Sequence, residues 1–289
     1  MNLVSRAAAL HDISGFGRCS LTVILPVLSA MGIQCCPIPT AYLSTHTGGF
    51  SGMARVDLTH TMQESLSHWV SLGLKFDAVY TGYLSEPKQA QIAAEALQTL
   101  KSSTGLAVVD PACGDHGRLY ASCTPQLWDG LARLCAHADV ITPNLTEAGL
   151  LLDMDYEQVK QADPEWLVAQ LSADGRKSVV LTGVVWEKNR MGAACFDRNS
   201  GRTALVGAFR YPGSWPGTGD LFSAVLTGAL LQGDGLMDAA QQAVDFVSCC
   251  VKVTLDRGLP LREGVAFEPM LHRLTDRYLE DVAEKDCKG

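Results

Sequence analysis

Gly217, Thr218, Gly219 and Asp220 stand directly before residues 221–231, a stretch rich in Leu, Ala, Val and Phe and free of charge. A helix apolar on most of its faces is a buried one. This one therefore opens its N-terminus into the protein, with unpaired N–H groups and the positive end of its dipole. Gly217 and Gly219 can take positive φ and admit a ligand close to the backbone, and the whole makes an anion site. Asp220 sits oddly beside an anion. It either caps the helix or takes part in chemistry at that anion.

Other acids bear on the choice. Asp110 and Asp115 flank the turn "DPACGD", and Glu147 follows "TPNLT" at the start of another helix. Each alone reads as a turn or cap residue. Together they offer oxygen ligands to Mg²⁺, which keeps several waters and takes one or two carboxylates plus substrate phosphates. A metal beside a phosphate, with a separate aspartate as base, is the equipment of phosphoryl transfer.

These groups must be brought together by the elements between them. Short apolar runs, "AAALHDI", "IQCCPIP", "FDAVYTGYL", "LAVVDPA", "DVITPN" and "SVVLTGV", read as strands. "CSLTVILPVLSAMG" reads as a helix ending at Gly32, and "DLTHTMQESLSHWVSLG" places Leu58, Met62, Leu66 and Trp69 at helical spacing. Such alternation implies a mostly parallel sheet covered by helices on both faces. Ligands bind beyond the carboxyl ends of those strands, and "HDISGFG", "TGY", "DPACGD" and "TPNLTE" fall there. "GAACFDRNSGRTALVGAFR" reads as a hairpin turning at Asn199-Ser200-Gly201. From Asp234 onward the chain reads as helical and structural.

The bulk numbers set outer limits. The 289 residues, 47% hydrophobic and 19% charged, suit a single large α/β domain over 1–289. A net charge of −8 argues against a nucleic-acid or anionic-membrane surface, though a backbone nest can still hold a small anion. No signal-peptide run opens the sequence, and no apolar stretch approaches the ~18 residues that span a bilayer. Ten scattered cysteines, paired only as Cys35–Cys36 and Cys249–Cys250, read as reduced thiols. A cytoplasmic location is expected. There is no G-x-x-x-x-G-K-[ST]. "GFGRCS" imitates a dinucleotide turn, but no acid lies between Asp12 and Asp57 to hold a ribose.

In order along nearly the whole chain, "HDISGFGRCSLTVILPVLSAMG", "LSTHTGG", "TGYL", "DPACGD", "ITPNLTEAGLL", "VVLTGV" and "PGTGDLF" resemble the pyridoxal/pyridoxamine kinase branch of the ribokinase superfamily. The resemblance implies a ribokinase-like three-layer sandwich and transfer of the γ-phosphate of ATP to the 5′-hydroxymethyl group of a vitamin B6 vitamer. It makes Gly217, Thr218 and Gly219 the anion hole and Asp220 the base. Asp110, Thr142, Asn144, Glu147 and Thr182 match the nucleotide and cation site, and Tyr211 and Gly213 fall where the family contacts ATP. Asp115 and Glu147 would act on Mg²⁺, partly through water; a monovalent cation is admitted too. His46 and Thr47 match the S-x-H-T-G stretch near the pyridine ring, and Tyr83 a ring-stacking aromatic.

Two features depart from that branch. Leu10 stands where many pyridoxal kinases have serine. "DISGFG" is similar to the D-P-S-G-G-A-G of hydroxymethylpyrimidine kinases, where Asp12 and Ser14 would contact the ring. That branch, however, reads Q-N-T at Thr45-His46-Thr47. The alternatives are therefore a hydroxymethylpyrimidine kinase and a catalytically silent B6-binding protein. The family also implies a homodimer, with the edge after "PTAYLSTHTGG" as its interface.

Overall fold

The computed structural model describes residues 4–275. Five parallel pairings join six strands: β1 (Arg6–Ser14), β2 (Gln34–Leu43), β4 (Phe76–Thr81), β5 (Lys101–Val109), β8 (Val140–Ile141) and β9 (Ser178–Glu187). Antiparallel strands close both edges. β3 (Arg55–Asp57) lies beside β2, while β10 (Arg190–Asp197) and β11 (Arg202–Phe209) extend β9. The order is β11-β10-β9-β8-β5-β4-β1-β2-β3. A small hairpin, β6 (Gly114–Asp115) with β7 (Arg118–Leu119), stands apart from the sheet.

Helices cover both faces, as buried strands require. One apolar core packs the sheet against α1 (Leu21–Ala30), α8 (Thr218–Leu231) and α9 (Leu236–Asp256). The other packs it against α2 (Thr59–Ser71), α3 (Pro87–Thr99), α4 (Pro125–Ala136), α5 (Leu145–Leu152), α6 (Tyr156–Gln161) and α7 (Pro164–Leu171). The result is the three-layer α/β sandwich with a mostly parallel central sheet that the sequence predicts. No helix among the described residues is long and apolar enough to cross a membrane. The described cysteines are all free.

Three expectations need correction. α1 starts at Leu21 rather than Cys19, because Ser20 adopts φ 54° and ψ −136° and cannot be helical. Its helical end is as expected, with Gly32 in a left-handed conformation (φ 75°) just past the last turn. "DVITPN" supplies only two strand residues, since Asn144 already caps α5. The region after Asp234 is not helical throughout: beyond α9 it breaks into short 3₁₀ turns at Leu261–Glu263 and Glu268–Met270. The first of these turns reaches the site described next.

Candidate active site

Because the six central strands run the same way, their carboxyl ends share one edge, and polar side chains gather toward it. Asp110 follows β5, Thr142 follows β8, and Thr182 lies at the irregular middle of β9. A cavity of about 590 Å³ opens over this edge. Every site residue singled out from the sequence lines it, from Asp12, Ser14, His46, Thr47 and Tyr83 at one end to Tyr211 and Gly213 at the other. The four acids Asp110, Asp115, Glu147 and Asp220 are also in its wall, as are Thr142, Asn144 and Thr182.

The N-terminus of α8 enters the middle of this cavity. Gly217 takes φ 77°, and a Cβ there would overlap the Arg18 carbonyl and crowd the Cys19 thiol. Only glycine fits this close approach. The first intrahelical bond is Leu221 N–H to Gly217 O at 3.0 Å, so the N–H groups of Gly219 and Asp220 precede the ladder. Thr218 closes the turn by donating its hydroxyl to the Trp215 carbonyl at 2.9 Å. Behind it, Leu221 to Ala229 are all buried, which fixes the helix axis.

Asp220, in the first turn of α8, does not cap it. One carboxylate oxygen accepts instead from the backbone N–H of Ser20 at 2.8 Å. Burial pushes its carboxyl up to about 8, and the nearby charges of Asp110 and Asp12 push the same way. One turn on, Ser223 donates its hydroxyl to Asp110 at 3.2 Å and lies 3.1 Å from the Thr142 hydroxyl. Burial, then Glu147, raises Asp110. Glu147 is held in a capping box: its carboxylate accepts from the N–H groups of Asn144 (2.8 Å) and Cys113 (3.1 Å), while Asn144 accepts from the start of α5. Burial lifts it to about 7. Asn144 also donates to the Gly114 carbonyl at 2.8 Å, which ties the DPACGD turn to α5.

Asp115 stands at the rim, half-exposed, accepting from the His116 N–H at 2.8 Å. His116 reaches across to the Ser214 hydroxyl at 3.0 Å and so links the β6–β7 hairpin to the loop before α8. Among the described residues no three acidic, histidine or cysteine side chains form a ready metal cage. The donor set nevertheless fits Mg²⁺: it is all oxygen, and the ion draws its remaining ligands from phosphates and water.

At the other end, Asp12 is buried and accepts two hydroxyls, from Ser20 at 2.5 Å and from Ser14 at 2.9 Å. Burial raises it. Tyr83 lines the cavity and donates its hydroxyl to Ser122 at 2.9 Å. His46 differs from expectation. Its Nε2 bonds the Arg262 carbonyl at 2.7 Å, and its Nδ1 accepts from the Gly48 N–H at 3.0 Å. With both nitrogens engaged, His46 fastens its loop to the 3₁₀ turn at Leu261–Glu263 and has no nitrogen left for a pyridine ring. Thr47 beside it is exposed. Tyr211 packs edge-on against Phe209 (ring centroids 5.0 Å apart), and Gly213 takes φ 107° against Trp215 and Leu261.

Reading the sequence missed Ser20, Ser223, His116 and Arg262. Ser223 carried a faint signal, as a hydroxyl in the apolar helix three residues after Asp220. The others carried none.

The chain is similar to several known proteins. A Bacteroides thetaiotaomicron structure assigned as a phosphomethylpyrimidine kinase, solved with pyridoxal, is 39% identical, with a TM-score of 0.86 over 94% of this chain and 96% of its own. Pyridoxal kinase from Lactobacillus plantarum is 33% identical, with a TM-score of 0.86 over 93% and 96%. A curated pyridoxal kinase of Paraburkholderia xenovorans is 28% identical over 269 residues, or 84% of this chain and 86% of that protein. Residues 25–264 match the model of the family described as phosphomethylpyrimidine kinase. The chain belongs to that family.

Proposed function

We propose that the protein is an ATP-dependent kinase that phosphorylates the 5′-hydroxymethyl group of pyridoxal, pyridoxamine or pyridoxine. The observation that carries this reading is Asp220, a carboxyl lifted to about 8 inside a helix N-terminal nest, in one cavity with the Asp110 and Glu147 cluster. A site that only bound a vitamer would not need an acid beside its anion nest. The relatives described as pyridoxal kinases support the acceptor.

In this reading the vitamer lies at the Asp12, Ser14 and Tyr83 end and ATP lies toward Tyr211 and Gly213. The ionised Asp220 accepts the proton of the hydroxymethyl group as its oxygen attacks the γ-phosphorus. The bond from that phosphorus to the bridging oxygen breaks, and ADP leaves with the electron pair. The N–H groups at Gly217, Thr218 and Gly219 meet the charge on the transferred phosphoryl group, where fixed dipoles act most strongly. Asp115 and Glu147, with Asp110, would hold Mg²⁺, which neutralises phosphate charge when bound. Thr142, Asn144 and Thr182 border the nucleotide and any monovalent cation. A homodimer is part of the proposal: Tyr42 and Val56, exposed and paired across β2–β3, offer it an apolar surface.

Hydroxymethylpyrimidine phosphorylation is the second reading, favoured by the family description and by Asp12 and Ser14 in the acceptor end. Phosphorus NMR of a reaction with ATP, Mg²⁺ and pyridoxal tests the main reading. A new phosphomonoester on the 5′ carbon is expected. ATP consumed at the same rate without acceptor would contradict it.

A further inference from the structure

Ser20 holds a conformation that serine rarely adopts, φ 54° with ψ −136°. Such backbone is strained for a non-glycine residue and persists only where its surroundings enforce it. Four hydrogen bonds enforce it here. The Ser20 carbonyl accepts from Val23 and Ile24 at 2.9 and 3.0 Å, starting α1. The hydroxyl donates to Asp12 Oδ1 at 2.5 Å. The backbone N–H donates to Asp220 Oδ2 at 2.8 Å.

The hydroxyl is the informative group. Ser20 is the N-cap of α1, where a serine oxygen ordinarily accepts from the helix's own N–H groups. It makes no such bond. Its proton goes instead to Asp12, whose other oxygen is satisfied by Ser14. Asp12 is thus fixed at the end of β1 and pins the serine side chain, while the carbonyl is pinned by α1. With both ends of the residue held, the N–H has one direction left, toward Asp220.

We infer that Ser20, anchored by Asp12, is a positioning residue that aims Asp220: it occupies Oδ2 and leaves Oδ1 to take the substrate proton. Asp12 then acts on the reaction through Ser20 as well as by lining the acceptor end. This inference rests on Asp220 being the base. A hydrogen bond from a fixed N–H also favours the ionised carboxylate against its burial, so the same contact orients the base and keeps it usable.

The test is steady-state kinetics with ATP, Mg²⁺ and pyridoxal on Ser20→Ala, Ser20→Gly, Asp12→Ala, Asp12→Asn and Asp220→Asn. Misaiming a reacting group by about an ångström costs on the order of 10²-fold. Ser20→Ala is therefore expected to lower kcat about 10- to 100-fold, with KM for ATP changed by less than about threefold. Ser20→Gly relieves the backbone and should melt no lower than the parent, yet lose kcat to the same extent; a purely structural serine would not separate these. Asp12→Asn, which keeps an oxygen for the hydroxyl, should retain more kcat than Asp12→Ala. Added to Asp220→Asn, Ser20→Ala should cost nothing further, because the two act as one unit. Full kcat in well-folded Ser20→Gly, or losses that multiply in the double variant, would overturn the inference. Full kcat in Asp220→Asn would instead overturn the base assignment beneath it.

Discussion

Asp220 carries most of the chemistry at the scale of single residues, and its environment makes a quantitative demand. A general base contributes typically ~10²–10⁴-fold, so Asp220→Asn should lose that much kcat while still binding ATP, measured by nucleotide titration beside turnover. The pH dependence has a definite sign. Burial lifts the carboxyl to about 8, so the base is protonated below that pH and ionised above it. In the free enzyme, kcat/KM for the acceptor should climb by about tenfold per pH unit below the inflection and level off near 8. A flat profile from pH 6 to 9 would mean that another group takes the proton. His46 marks the limit of what residue types reveal. Its sequence context pointed at the acceptor ring, but the partner of its Nε2 is a carbonyl 216 positions away. Long-range backbone contacts of that kind leave no trace in spacing.

Elements explain why these residues meet. The nest was legible because an uncharged apolar run must be buried and therefore must point its N-terminus inward. The strand ends were legible because alternating strands and helices force a parallel sheet. Ser20 was not legible: "CSLTVILPVLSAMG" has helical composition from its first residue, and only tertiary bonds to Asp12 and Asp220 pull position 20 out of the helix. Glu147 meets the cap reading, closing a capping box on α5, while its charge still bears on the acids of the cavity. Glu147→Gln replaces one accepting oxygen with a donor facing backbone N–H groups, a loss of roughly 1–3 kcal/mol for a buried unsatisfied group. The melting temperature should fall, and the Mg²⁺ concentration for half-maximal rate should rise. A lower melting temperature with an unchanged Mg²⁺ titration would make Glu147 a helix cap alone.

Over the whole molecule, the cavity gathers Asp12, Asp110, Glu147 and Asp220, all raised by burial. A carboxyl whose folded pKa lies above its unfolded value stabilises the fold at low pH and loses that contribution as pH rises through the folded value. The relevant window ends near 7 for Glu147 and near 8 for Asp220. The nucleotide-free protein should therefore melt at a higher temperature at pH 6 than at pH 8.5. Asp220→Asn should flatten the difference and raise the melting point at pH 8.5, the stability a functional acid forgoes. A melting point that rises steadily with pH would contradict the cluster's electrostatics.

The central claim, that this fold and this cavity phosphorylate a B6 vitamer, is tested most directly by a coupled ADP-release assay. Pyridoxal, pyridoxamine, pyridoxine and hydroxymethylpyrimidine would each be titrated at saturating ATP and Mg²⁺. The prediction is acceptor-dependent ADP release with at least one vitamer, at a kcat/KM above that for hydroxymethylpyrimidine. ADP release with hydroxymethylpyrimidine alone would contradict the claim and move the activity to the pyrimidine, and no release with any acceptor would leave a binding protein.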